Sequence, residues 1–444
     1  MFSYEEALNY LDSFINYEKK SNFSYNARVF NLERMQRILR ELGNPHLKLK
    51  TIHVAGTKGK GSTAAIITSI LNTAGYRVGL YTSPHLVSPR ERIKIGPRFI
   101  TPDEFASCLW ETKLVLERLA SRGTFTPSFF EIYTSMGFLY FFQKKIDIAV
   151  IEVGLGGRLD ATNVIHPLVG IITPISLDHT RQLGSDILSI AREKAGIIKP
   201  GSRIITSLQD RPVLQLIEKI CQERGATLYK IGEDAKFRLI KATPRYQRFE
   251  VKSIYRSYPD LFLPLPGEHQ LQNAASAILA VELIREDGFK VTKGSIERGL
   301  RKVDWPGRIQ LISGRPLLIL DCAHNGASAR FLAKYLQQFY SRKKLILVLA
   351  ILKNKDVKSI GEALCPLADR VIVTQVKSPR ALPPEEIYPK IKVNCRFFPL
   401  VEKEVKNALE KAKIMAGKSG VVVATGSVYL VGEILELMNK KTKV

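Results

Sequence analysis

The stretch "HVAGTKGKGSTAA" (53–65) sets glycines, lysines and hydroxyls side by side. Backbone N–H groups across Gly56, Thr57, Lys58, Gly59, Lys60, Gly61, Ser62 and Thr63 could close around phosphate oxygens, with Lys60 as a point charge over the terminal phosphates. The usual phosphate loop runs Gly-x-x-x-x-Gly-Lys-Ser/Thr; here Gly61 separates Lys60 from Ser62. The flanks decide between a nucleotide loop and a plain turn. "KTIHVAG" (50–56) is a β-branched strand, and "KGSTAAIITSILNTAG" (60–75) is a helix ended by Gly75. A helix opening at the loop adds roughly half a positive charge at its N-terminus. Strand, loop, lysine, hydroxyl and helix together predict nucleotide binding.

Other residues with chemical potential are more ambiguous alone. Glu152 ends the apolar strand "IDIAVIEVG" (146–154), where a carboxylate is costly unless it faces a cation. A strand-end acid in solvent is the alternative. His179 follows a strand and Lys194 lies on a helix face, both ordinary structural placements. Phe129 and Phe130 open an apolar helix and suit either core packing or stacking on a flat ring. The seven histidines show no metal-protease spacing, and the five cysteines form no Cys-x-x-Cys pair. Zinc ribbons and disulfide frameworks are disfavoured, and a reducing cytoplasm is expected.

The elements that position these residues alternate strand and helix. Buried strands are expected at 50–56, 77–84, 146–154, 168–176 and 202–208, with an apolar helix at 129–145. Short continuous apolar runs between helices imply a parallel sheet covered on both faces. From about 226 to 262 the pattern shifts to short β-prone pieces, read as a small antiparallel addition. Helices at 269–284 and 292–303 close this region, and "DWPGR" (304–308) is the expected boundary. Beyond it, strands at 316–323, 344–351, 370–376 and 419–427 restart the alternation. The expected architecture is α/β: a P-loop-containing, doubly wound, mainly parallel domain over 1–303 with the antiparallel addition, then a smaller Rossmann-like α/β domain over 304–444.

The chain has 444 residues, 67 basic against 42 acidic, a formal charge of +25. The opening "MFSYEEALNYLDSF" lacks a signal-peptide layout, and the run "LILVLAIL" (345–352) falls far short of the roughly 20 residues that span a bilayer. A cytoplasmic protein with no membrane segment is expected, working as a monomer. The basic surplus fits a soluble surface or polyanionic partners, but no run of five or six basic residues and no nucleic-acid motif appears. A nucleic-acid-binding P-loop protein is thus a minor alternative.

The loop Gly-Thr-Lys-Gly-Lys-Gly-Ser resembles that of folylpolyglutamate synthases and dihydrofolate synthases, the folate branch of the Mur-type amide ligases. Lys58 stands where Asn is usual. Eight further blocks follow in the family's order: "YTSPHL" (81–86), "RERI" (90–93), "SFFE" (128–131), "EVGLGGRLDATN" (152–163), "LDHTRQLG" (177–184), "REKAGIIK" (192–199), "HQLQNAA" (269–275) and "PGR" (306–308), with "DCAHN" (321–325) as a variant of a common motif, Cys322 and Gly326 being departures. The resemblance implies ATP-driven addition of L-glutamate to a folate or dihydropteroate carboxylate through an acyl phosphate. It implies that Ser83 and Glu152 bind one magnesium, and that His179 and Lys194, the latter as a carbamate, serve a second. Asn273, Arg308 and Asp321 fall at ATP contacts, and Ser128, Phe130, Arg158 and Ala161 at the pterin end. A monovalent cation is a further cofactor the resemblance allows. A Mur-type ligase acting on a cell-wall precursor is the rival within the class, disfavoured by Gly61 and by the block at 152–163.

Overall fold

The structure, a computed structural model, describes residues 2–20 and 22–441. Its largest sheet is built from β1 (Thr51–Ala55), β2 (Val78–Tyr81), β3 (Ile93–Ile95), β4 (Arg98–Phe99), β5 (Ile148–Glu152), β6 (Val169–Ile172), β7 (Arg203–Thr206) and β8 (Thr227–Lys230), in the order β4-β3-β2-β5-β1-β6-β7-β8. The six strands from β2 to β8 in that order run parallel, and β3 and β4 add an antiparallel edge. Alternate side chains of the buried strands enter two separate cores. Ile52, Val54, Ile148 and Val150 pack under the helices Lys60–Thr73 and His269–Leu283. Ala149 and Ile151 pack under the helices Pro102–Ser121 and Phe129–Gln143. Burial on both faces explains why these strands are unbroken apolar runs.

The antiparallel addition is a three-stranded sheet of β9 (Ala235–Ala242), β10 (Gln247–Ser253) and β11 (Ser257–Leu263). It begins later than the sequence rhythm suggests. Thr227–Lys230 pairs parallel with β7 and extends the large sheet, because its partly exposed residues make it an edge strand without an apolar run.

The second unit holds β12 (Gln310–Ile312), β13 (Leu317–Leu320), β14 (Leu345–Leu349), β15 (Arg370–Gln375), β16 (Leu400–Glu404) and β17 (Val421–Thr425), in the order β12-β13-β17-β14-β15-β16. All neighbours are parallel except β12. The two edge strands β12 and β16 were not legible as apolar runs, and β16 alternates exposed with half-buried residues. The chain leaves the first unit after the helix Lys293–Arg301, and Gln310 already pairs in the second sheet. No described helix is long and apolar enough to cross a membrane.

Candidate active site

The loop leaves β1 at Ala55 and enters the helix Lys60–Thr73 through Gly59, a left-handed residue with φ +85°. No side chain caps this helix, so its first N–H groups face the loop's concavity. A Cβ on Gly59 would lie 2.3 Å from Asn273 Oδ1, so the loop closes directly on the helix His269–Leu283. The extra glycine, Gly61, has a steric reason. Its Cβ would meet Trp305 at 2.9 Å and Glu152 Oε2 at 3.4 Å. The Thr57 and Lys58 N–H groups donate to Pro174 O at 3.1 and 3.2 Å, anchoring the loop to the end of β6.

Glu152 is the last residue of β5, opposite Val54 of β1, and is 5% exposed. Burial raises its pKa, and the raising is opposed by Lys60, by the Ser83 N–H at 3.3 Å and by Arg308. A buried carboxylate at a nucleotide loop, beside the Ser83 segment, fits a hard cation. Among the described residues no three His, Cys, Asp or Glu side chains converge on one point. A cation here would draw its remaining oxygens from phosphate and water, as magnesium commonly does.

Lys194 is not on an exposed helix face. It is 5% exposed, and its Nζ donates to Gly56 O at 2.8 Å. Burial, helped by the charge of Lys60, lowers its pKa to about 7. His179 has φ +52° at the mouth of the short helix Thr180–Leu183 and opens onto solvent, and desolvation by the surrounding protein lowers its pKa. Beside it, Asp178 accepts from Lys355 Nζ at 2.6 Å and Asn325 Nδ2 at 3.2 Å, with His324 Nε2 at 3.4 Å. Burial opposes its charge, but Lys355, His324 and His179 prevail and hold the carboxyl well below its usual range. Lys355, His324 and Asn325 belong to the second unit, so this cluster ties the two sheets together at the site.

The remaining nucleotide candidates sit on the same seam. Asp321 follows β13 and accepts the Ile309 and Ala323 N–H groups, each at 2.9 Å. It thereby ties the backbone just after Arg308 to the turn that follows β13. Asn273 is 2% exposed and donates to Gln270 Oε1 at 2.9 Å.

A cavity of about 490 Å3 opens between the units. Ser83, Ser128, Phe130, Ala161 and His179 line it, together with Lys355. Phe130 is half-buried with its ring against Gly154, whereas Phe129 is core. Arg158 is not among the lining residues; its exposed guanidinium pairs with Glu193 at 2.8 Å. The strap before residue 32 carries no motif in the sequence yet reaches the cavity. Tyr17, Phe23 and Phe30 line the cavity, with ring centroids 5.0 to 5.8 Å apart. Their only signal is aromatic density without periodicity.

Ser128 caps the helix Phe129–Gln143 in a reciprocal box with Glu131, and Glu131 also takes both Nε and Nη2 of Arg34 at 2.8 and 2.9 Å. Glu131→Ala should therefore cost about 2–4 kcal/mol, since it breaks a cap and strands a half-buried guanidinium. Urea unfolding measures this; a loss below about 1 kcal/mol would show that the network contributes little.

Residues 110–281 match the family model of the Mur ligase middle domain, and residues 307–428 that of the Mur ligase glutamate ligase domain. Fold and site thus define a Mur-type ligase. A Bacillus subtilis dihydrofolate synthase/folylpolyglutamate synthase is 34% identical over 91% of this chain and 94% of its own. The solved structure of Mycobacterium tuberculosis folylpolyglutamate synthase complexed with ADP superposes with a TM-score of 0.89 at 31% identity, covering 98% of each chain. That of Escherichia coli FolC in complex with DHPP and ADP gives 0.86 at 28% identity, again over 98% of each. The chain belongs to the folylpolyglutamate synthase/dihydrofolate synthase family.

Proposed function

We propose that this chain adds L-glutamate to folate-type carboxylates with ATP, and that it accepts both dihydropteroate and tetrahydrofolate. The observation that carries the reading is the continuity of the site. An uncapped helix with Lys60 at its mouth faces the buried Glu152, which accepts the Ser83 N–H, and Ser83 lines the cavity that spans both units. ATP phosphate lies on the loop 56–63, and the acceptor's flat ring lies against Phe130, Ser128 and Ala161.

The acceptor carboxylate attacks the γ-phosphorus and ADP leaves, giving an acyl phosphate. The free amine of glutamate then attacks the acyl carbon and expels inorganic phosphate. Lys60 and Arg308 offset charge that builds on the phosphoryl oxygens, as preorganised cations do in phosphoryl transfer. Lys355 and His324, reaching in from the second unit, hold Asp178 and so tie the seam beside the site. Asn273 and Asp321 are assigned to the nucleoside half of ATP, with Asp321 acting by holding the Ile309 and Ala323 backbone. Closing the seam keeps water from the acyl phosphate.

Ser83 and Glu152 would hold one magnesium ion, and His179 with Lys194 as a carbamate a second. Magnesium at these positions neutralises phosphate charge. Lys194 suits carbamylation because an amine with a pKa of about 7 is substantially uncharged at neutral pH, and only the free amine takes up carbon dioxide. The reading includes a monomer in a reducing cytoplasm, and all five cysteines are free thiols.

The experiment is glutamate-dependent ADP release with dihydropteroate and tetrahydrofolate offered separately. Turnover with both is expected. Turnover with tetrahydrofolate alone would remove the dihydrofolate synthase half, and turnover with neither would remove the reading.

A further inference from the structure

The cavity's charges do not balance. Its lining includes four carboxylates, and each is already engaged. Glu18 accepts from both Nη atoms of the buried Arg92, and Glu131 from Arg34. Asp160 accepts from Thr162 and from the Leu155 N–H, and Asp356 from Ser359. Of the lining cations, Lys355 is spent on Asp178. Lys20, Arg181 and Arg380 form no ion pair among the described residues. Among the described residues Arg181 meets the neutral amide oxygens of Asn22 and Asn354, at 3.4 and 3.0 Å. Arg380 donates through Nη1 to the Glu18 carbonyl at 2.9 Å, and its buried Nε has no partner. Lys20 lies over the Tyr17 ring at 5.9 Å. Three segments distant in sequence thus bring three uncompensated cations to one cavity.

The reaction supplies a ligand for them. The acceptor's terminal carboxylate must reach the phosphate at Lys60 whatever the acceptor's length, while its ring is held at the Phe130 end. Each glutamate already attached inserts another carboxylate and more chain between those two fixed points. The added residues must bow outward and carry their negative charges with them. We propose that Lys20, Arg181 and Arg380 form a subsite for the internal carboxylates of an acceptor that already bears several glutamates. The assignment rests on the glutamate-ligase reading.

The test uses the full chain and the double variant Lys20→Ala/Arg181→Ala, both positions being exposed, with its melting temperature checked against wild type. Equilibrium binding of folate triglutamate and folate monoglutamate is measured beside turnover on dihydropteroate. Triglutamate should bind about five- to tenfold more weakly to the double variant, as expected for two partly screened charge contacts. Monoglutamate binding and the KM for dihydropteroate should stay within about twofold, and added salt should erode the wild-type preference for triglutamate. Arg380→Gln, measured in the same way, should show the same selectivity. Equal losses for both ligands, or no loss for triglutamate, would overturn the subsite. Absence of glutamate ligation by the wild type would instead overturn the ligase reading, and the binding comparison still decides the subsite.

Discussion

Lys60→Ala should lower turnover by about 10²–10³ while leaving the melting temperature within a few degrees of wild type. The ammonium stands at the mouth of an uncapped helix, and alanine is the better helix former there, so the scaffold loses little. The loss falls on charge. Lys60 is also the largest influence holding down the pKa of the buried Glu152 against burial. Its removal raises that pKa further, so the acid limb of the residual pH–rate profile should move to higher pH. Turnover near wild type would remove the loop from the mechanism. A lost rate with an unmoved acid limb would show that Lys60 and Glu152 act independently.

Lys194→Ala should lose about 10² or more in turnover, on the scale of deleting a preorganised charged group, and added acetate should restore part of it by supplying an anion in the vacated space. Stability gives a second readout with a definite sign. The folded-state pKa of about 7 lies below the usual 10.5. Between those values the unfolded chain holds a proton that the folded chain lacks, so wild-type stability rises with pH across that window. Lys194→Met removes the slope. In buffer freed of carbon dioxide, the variant's stability relative to wild type should therefore grow as pH falls from 10.5 towards 7, then level off. A constant difference would mean the amine is charged in the fold. Mass analysis of Lys194 in fully active enzyme, if it showed an unmodified amine, would refute the carbamate.

Features written as contiguous sequence were the legible ones. Gly56 to Thr63 sits between a β-branched strand and an apolar helix, and each local preference agrees with the fold. The same holds for β5 and for the helix Phe129–Gln143. Edge strands such as β8 and β16 were hidden because one face meets solvent and their apolar signal is halved. The burial of Lys194 was also written in its helix. Ile190, Ala191, Lys194 and Ala195 share the buried stripe of one helix, and a lysine on such a stripe was the available sign of burial. The cluster at Asp178 was not readable, since its partners lie 146 to 177 residues away (His324, Asn325 and Lys355) and no spacing rule connects them. Arg158 shows the limit of resemblance: a matching position in a matching block, here turned outward to Glu193.

The bond from Arg380 to the Glu18 carbonyl joins residues 362 apart in the chain. Its consequence lies in the order of synthesis. A ribosome that has released the first 303 residues has made every strand of the large sheet, and that unit can collapse on its own three cores. The strap bearing Tyr17, Phe23 and Phe30 is then already held to that unit, by Arg92 on Glu18, by Tyr25 on the Leu159 N–H and by Arg34 on the Val29 carbonyl. Its tether to the second unit arrives only with Arg380. The acceptor cavity is therefore finished only when the second unit is made, since Leu352, Lys355, Arg380 and Tyr429 supply its far wall.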